Sequence, residues 1–182
     1  MEFKNRNPLI YVIAGLARNG KDTIASDILN YYSKLGIKGI NLQFSSYIKE
    51  YAKNISSWDG SDENKPRELL QQLGTELIRN KIDSKMFIKR MIDDIKVYSY
   101  FYDVITISDA RFDVELESIK NAFNNVKCIR VIRPGFDNVL GKLENHVTEK
   151  GLVKDELYDK IINNDGSLEE LDKKIIDMLE CE

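Results

Sequence analysis

No window of the sequence approaches the roughly 20 consecutive apolar residues that a membrane-spanning helix requires. The opening stretch, Met1 to Pro8, is polar and lacks the apolar core of a signal peptide. Cysteine is scarce: Cys128 and Cys181 are the only two in 182 residues. They form neither a metal nor a redox spacing, one lying in an apolar run and the other near the end of the sequence. An excess of one charge is lacking too, with 27 Lys and Arg against 30 Asp and Glu and a formal net charge of −3. That balance argues against a protein that coats nucleic acid or an anionic membrane, while leaving room for a local basic pocket. Internal repeats and low-complexity tracts are absent as well. The expectation is a soluble, reduced, cytoplasmic protein with no nucleic-acid or membrane partner.

What is present suits one compact domain over residues 1–182. A hydrophobic fraction of 42% fits an ordinary core. A chain of this length buries roughly 70% of its unfolded surface, so it needs no disulfide or zinc.

Two periodicities alternate along the chain. Leu9 to Ala14 is a short β-branched run ending at Gly15, the pattern of a strand buried on both faces. Ile24, Ile28, Tyr31 or Tyr32, and Leu35 then recur at helical spacing, with Gly36 as the stop. Ile37 to Phe44 predicts a second strand, alternating Ile40, Leu42 and Phe44. From Ser45 to Tyr102 the pattern is helical, broken once by the turn-rich stretch Ser56 to Asp62. One apolar stripe there comprises Leu69, Leu70, Leu73, Leu77 and Ile78; another comprises Phe87, Met91, Ile95 and Tyr98. The block is too long for a crossover helix and predicts a helical insertion. Strand patterns return at Val104 to Ile107 and Val126 to Ile132, around a helix marked by Leu116, Ile119 and Phe123. Pro134 to Gly151 predicts a loop or small lid, and Tyr158 to Ile162 a fifth strand. Ser167-Leu168-Glu169-Glu170 has the form of a capping box opening a last helix, with Leu168, Leu171, Ile175 and Leu179 on one face. Such alternation predicts an α/β fold whose parallel sheet is covered on both faces, with ligands beyond the carboxyl ends of the strands.

Just beyond the first strand stands Gly15-Leu16-Ala17-Arg18-Asn19-Gly20-Lys21-Asp22-Thr23, followed by a helix. Gly, four residues, Gly, Lys in a strand-to-helix setting is the phosphate-loop pattern. Glycines let backbone amides curl around phosphate oxygens, and the helix N-terminus adds partial positive charge. Lys21 supplies a full charge to the β- and γ-phosphates. The expected fold is therefore a three-layer P-loop NTPase with a five-stranded parallel sheet. Its core takes in about 8–44, 103–133 and 159–182, the helical insertion about 45–102 and the lid about 134–152. The residue after the lysine departs from the pattern: Asp22 replaces the Ser or Thr whose hydroxyl binds Mg²⁺. Either Asp22 reaches the metal, directly or through water, or Thr23 does so while Asp22 favours the helix dipole.

At these residues the chain resembles the deoxynucleoside monophosphate kinases of tailed phages and bacteria, whose own loop variant is Gly-Lys-Asp-Thr. The likeness continues in order through Arg67 to Leu77, Asp109-Ala110-Arg111-Phe112, Val131 to Gly135, His146 to Leu152 and Asn164 to Leu171. Ile48 to Lys65 carries no block of that family. The resemblance implies a Mg²⁺-dependent transfer of the γ-phosphoryl of ATP onto a deoxynucleoside 5′-monophosphate, under a lid that excludes water. Two alternatives stand beside it: a P-loop kinase of another small phosphorylated acceptor, such as phosphomevalonate, and a non-catalytic nucleotide-binding regulator.

Other residues fit this chemistry. Asp109 ends a strand, where it can organise Mg²⁺, hold the acceptor side, or cap the following helix. Arg111 can clamp the acceptor phosphate bidentately or pair with Asp113 or Glu115 on the surface. Arg67, Gln71 and Thr75, four apart, share one helix face; the family resemblance turns that face toward the acceptor. Lys49 is a further phosphate candidate. Arg133 follows a strand and can stack on adenine or reach the donor phosphates. His146, the sole histidine, takes at most a positioning role, and Glu149 orders the lid. Asn164 and Asp165 are placed to line the adenine pocket. Trp58 either caps the helical insertion or stacks on a base. Exposed apolar positions in the insertion leave room for a homodimer.

Overall fold

In a computed structural model, the residues described are 3–135, 152 and 154–181. Five strands, β1 (Leu9–Ala14), β2 (Gly39–Leu42), β3 (Val104–Ala110), β4 (Val126–Ile132) and β5 (Lys160–Asn163), form one sheet in the order β2-β3-β1-β4-β5. Every neighbouring pair is parallel.

Period-two alternation along β1 divides the core. Ile10, Val12 and Ala14 face one side, with Met91 and Ile95 of α4 (Met86–Tyr98) and Leu116 and Ile119 of α5 (Asp113–Ala122). Tyr11 and Ile13 face the other, with Ile24 and Ile28 of α1 (Lys21–Lys34) and Leu171 and Ile175 of α6 (Leu168–Glu180). The result is the expected three-layer α/β fold with a five-stranded parallel sheet. Each buried Ile or Leu contributes about 1.5–3 kcal/mol relative to exposure.

Between β2 and β3 lie α2 (Ser45–Ile55), α3 (Arg67–Gln71) and α4. The chain continues from α3 without a break into a π-helical segment, Gln72–Ile82. This segment corrects the expected apolar stripe. In a π-helix the ladder closes at i+5, so residues five apart share a face. Leu73 and Ile78 are both buried, whereas Leu77, one α-turn from Leu73, is 42% exposed. Trp58 packs with Ala52 and Leu73 in a satellite core and donates its indole N–H to the Ser61 carbonyl at 2.8 Å. Of its two readings, capping the insertion is the one the packing shows.

Three further expectations shift. β2 is shorter than Ile37 to Phe44, because Phe44 already has helical angles (φ −58°, ψ −35°) at the entry to α2. Leu35 is 60% exposed, since α1 ends at Lys34 and Gly36 turns the chain at φ +75°. Leu168 is 73% exposed at the start of α6. The capping box itself forms: Ser167 Oγ accepts from the Glu170 amide at 3.2 Å, and Glu170 accepts from the Ser167 amide at 2.7 Å.

Candidate active site

The loop between β1 and α1 is held in place from behind. Asn19 is buried and donates through Nδ2 to the Val131 carbonyl at 3.1 Å. Asn164, just past β5, donates to the Asn19 carbonyl at 3.0 Å. Gly15 lies so close to β4 that a Cβ there would stand 2.6 Å from the Val131 carbonyl oxygen. Gly20 opens α1 at φ +97°, a left-handed angle that glycine adopts without strain. Lys21 is buried over the loop, its ammonium donating to the carbonyls of Gly15 at 2.8 Å and Leu16 at 2.7 Å.

Two cavities open from this loop. The first, of about 520 Å³, is lined by Arg18, Lys21, Asp22, Thr23, Arg133 and Asn164, closed by Gly166 to Leu168. The guanidinium of Arg133 donates to the Arg18 carbonyl at 3.4 Å. Asp165 takes no part in the lining, unlike its expected place beside Asn164. Its carboxylate accepts from Lys174 of α6 at 2.6 Å, and that ammonium holds the carboxyl below the usual carboxylate range.

The second cavity, of about 480 Å³, lies between the helical insertion and the carboxyl ends of β2 and β3. It gathers Lys49, Arg67, Gln71, Thr75, Asp109 and Arg111 from three separate stretches of chain. Arg18, Lys21 and Asp22 line both cavities, so the two meet at the end of the phosphate loop. His146 and Glu149 lie outside the described residues.

Asp109 sits within the last turn of β3 and reaches across to α2. Its Oδ1 accepts from the Phe44 amide at 2.8 Å and its Oδ2 from the Ser45 amide at 2.9 Å. Both carboxylate oxygens thus cap α2, not the helix that follows β3. That following helix, α5, is closed by Glu115, which accepts from the amides of Arg111 at 2.8 Å and Phe112 at 3.2 Å.

Several further residues line the second cavity that sequence reasoning did not single out. Arg79, four residues beyond Thr75, continues the spacing of Arg67, Gln71 and Thr75 onto the cavity wall, and Gly74 lines it beside Thr75. Arg79 pairs with Glu115 at 2.8 Å and lies 4.0 Å over the Phe112 ring. Burial raises the Glu115 carboxyl above its ordinary range, with the Arg79 charge opposing. Gln43 and Ser108 also line the cavity and both contact Asp22. Thr106 and Ser108, polar positions in a strand buried on both faces, were the available signal for that contact.

The oxygens open to a cation here are hard ones, the Asp22 carboxylate and the Thr23 hydroxyl, while the Ser108 hydroxyl braces Asp22. Among the described residues no group of three or more His, Cys, Asp or Glu could hold an ion alone. One carboxylate with a hydroxyl suits Mg²⁺, which keeps water and binds through one or two carboxylates plus substrate phosphates.

The chain is similar to known proteins. Residues 41–175 match the family model described as deoxynucleotide monophosphate kinase. The deoxynucleotide monophosphate kinase of Enterobacteria phage T4 is 33% identical over 159 residues, covering 86% of this chain and 60% of the phage protein. That of Escherichia phage RB69 is 32% identical over 154 residues, covering 84% and 56%. The chain therefore spans less than two thirds of the length of these relatives. Among solved structures, the APS kinase of Mycobacterium tuberculosis in complex with AMPPNP and APS superposes with a TM-score of 0.60 at 13% identity. The match covers 96% of this chain and 98% of that one. At that identity the likeness speaks to the fold. The family match runs from β2 into α6 and takes in the whole wall of the second cavity outside the phosphate loop, and on it this chain belongs to the deoxynucleotide monophosphate kinase family.

Proposed function

We propose that the chain transfers the γ-phosphoryl group of ATP to the 5′-phosphate of a deoxynucleoside monophosphate, giving the diphosphate and ADP, with Mg²⁺. The observation that carries this reading is the junction of two cavities at Lys21 and Asp22. A donor on one side and an acceptor on the other would meet there, beside a buried ammonium.

Phosphoryl transfer asks the protein for alignment and positive charge rather than covalent chemistry. The loop amides from Gly15 to Thr23 cradle the donor phosphates, and Lys21 offsets charge on the transferring group. Arg18 and Arg133 line the donor side, and Asn164 braces the loop from beneath. On the acceptor side Lys49, Arg67 and Arg111 bind the 5′-phosphate, while Gln71 and Thr75 address the base. Asp109 holds the start of α2 against β3, keeping the acceptor wall in register with the loop. Asp22 and Thr23 would hold the metal, which when bound would neutralise charge developing on the phosphates. His146 and Glu149 act from the lid, one positioning and one ordering.

The test uses ATP labelled in its γ-phosphoryl group, with Mg²⁺ and each deoxynucleoside monophosphate, products being resolved by ion exchange. Label should appear in a deoxynucleoside diphosphate. Label found only in ATP or inorganic phosphate would remove the reading.

A further inference from the structure

In P-loop enzymes the hydroxyl of a loop Ser or Thr and the carboxylate of an aspartate on a neighbouring strand together hold the metal. In this chain the loop position is Asp22, and the residue near the carboxyl end of β3 whose side chain reaches it is Ser108. Ser108 Oγ donates to Asp22 Oδ1 at 2.7 Å. Gln43 Nε2, just past β2, donates to the same oxygen at 3.0 Å and contacts Ser108 Oγ at 3.1 Å.

The pair is backed by a directional chain of hydrogen bonds. Thr106 Oγ1 donates to Asn41 Oδ1 at 2.9 Å, and Asn41 Nδ2 donates to Ser108 Oγ at 3.1 Å. Ser108 thus receives from two amides and gives its single proton to Asp22, which uses the full capacity of a hydroxyl. Thr106 and Ser108 are fully buried, so their own hydroxyls are shielded from water. Every donor lands on Oδ1, and among the described residues no hydrogen bond reaches Oδ2. Asp22 itself is exposed and lines both cavities. Asp109 is engaged elsewhere, its two oxygens each accepting from an amide at the start of α2, Phe44 and Ser45.

We propose that the carboxylate holding the divalent cation has exchanged the strand position for the loop position, Asp22, and that the strand position carries Ser108, whose hydroxyl orients Asp22 and does not itself ligate the cation. Ser108 and Gln43, backed by Asn41 and Thr106, are positioning residues that fix Asp22 Oδ1 and leave Oδ2 for the cation arriving with the nucleotide. This rests on the kinase reading above. Without the strand-side donors, a carboxylate beside a polyphosphate would swing away from like charge. With them it is held at the one place where a cation can lie between.

The test reads metal affinity, not turnover, and needs no acceptor. Mn²⁺ is the probe: its binding to the full chain with ATP is followed by electron paramagnetic resonance, and metal-free ATP binding by a fluorescent analogue in EDTA. Removing a group that orients a metal ligand costs about 10- to 100-fold in metal affinity. Ser108→Ala should therefore weaken Mn²⁺ binding about tenfold and leave metal-free ATP binding unchanged. Asp22→Ser should weaken it as much or more, and the reciprocal double variant Asp22→Ser with Ser108→Asp should restore it to within about threefold of wild type. Asp109→Asn should leave Mn²⁺ affinity unmoved. If Ser108→Ala does not fold by circular dichroism, Gln43→Met removes the other donor to Oδ1 and is expected to show a smaller loss in the same direction. Wild-type Mn²⁺ affinity in Ser108→Ala, or a double variant as weak as Asp22→Ser, would overturn the exchange. Failure of the wild type to phosphorylate any monophosphate would remove the kinase reading instead, and the Mn²⁺ measurement would still report on the pair.

Discussion

Arg79 and Glu115 form a 2.8 Å ion pair in the wall of the second cavity, one from the π-helical segment and one from α5. Glu115 is 1% exposed and its second oxygen accepts from the Arg111 and Phe112 amides. A single buried carboxylate thus ties the helical insertion to the loop that presents Arg111. Breaking a buried pair by removing one partner costs about 3–5 kcal/mol, because the other charge is left without its counter-ion. We expect Glu115→Ala to lose about 3 kcal/mol in urea unfolding, and to raise KM for the acceptor more than KM for ATP. An acceptor KM equal to wild type would show that the pair supports the fold alone.

Asp109 yields a different outcome. It caps α2 through the Phe44 and Ser45 amides, so Asp109→Ala should cost about 1–2 kcal/mol of stability, the scale of a lost helix cap. The frayed start of α2 moves Lys49, and acceptor KM should rise while ATP affinity holds. Titration of both ligands against the variant by calorimetry separates the two; equal weakening of both would place Asp109 at the donor phosphates.

Glycine at the loop is a matter of space as well as angle. A Cβ on Gly15 would meet the Val131 carbonyl at 2.6 Å, and one on Gly20 would meet Asn164 Nδ2 at 2.7 Å from a φ of +97°. Backbone oxygen cannot swing aside as a side chain can. Gly15→Ala should therefore abolish ATP binding, whereas Gly20→Ala should weaken it, with about 1–2 kcal/mol of left-handed strain added. Equilibrium binding of a fluorescent ATP analogue checks the order of the two.

Lys21→Ala tests charge at the junction of the cavities. Electrostatic groups at such sites are worth about 10²–10³ in kcat, so we expect a loss of at least that size with the circular dichroism spectrum unchanged. A variant turning over within tenfold of wild type would take Lys21 out of the reaction.

The core carries an alkaline signature. Burial pushes the Cys128 thiol up to about 12 and the Tyr158 hydroxyl up to about 12, each above its unfolded value. A group whose folded value is raised stabilises the fold fully below its unfolded value and loses that contribution as pH rises. Stability should thus be flat through neutrality and fall between about pH 9 and 12, and Cys128→Ala should make that fall shallower. One thiol per folded chain, Cys181, should react with a disulfide reagent, and two in denaturant. Both readouts follow from the same buried position in β4.

The sequence made β1, the phosphate loop and the capping box of α6 readable because each rests on local chemistry. Leu9–Ala14 has the strand bounds that its apolar run implies, and Ser167 with Glu170 needs nothing beyond the first turn. Lys49, Arg67, Gln71, Thr75 and Arg111 come to one cavity, because their helix and loop positions put them at the carboxyl ends of the strands. Arg79 continues the spacing of four set by Arg67, Gln71 and Thr75, so that signal was present; its partner Glu115, 36 positions away, left none. Asp109 was readable as a carboxylate at a strand end, but its target is the amides of Phe44 and Ser45, 65 and 64 positions away. Asp165 turned from the cavity because Lys174, two turns into α6, stands within 2.6 Å. Ser108 left only a faint mark, a hydroxyl where a doubly buried strand should be apolar.

The most direct measurement is ADP release in a coupled assay with ATP and Mg²⁺ across the four deoxynucleoside and four ribonucleoside monophosphates. Turnover with at least one deoxynucleoside monophosphate is the expected result. Silence with all eight, from a protein that still binds ATP, would contradict the proposed acceptor and leave only the phosphate loop standing.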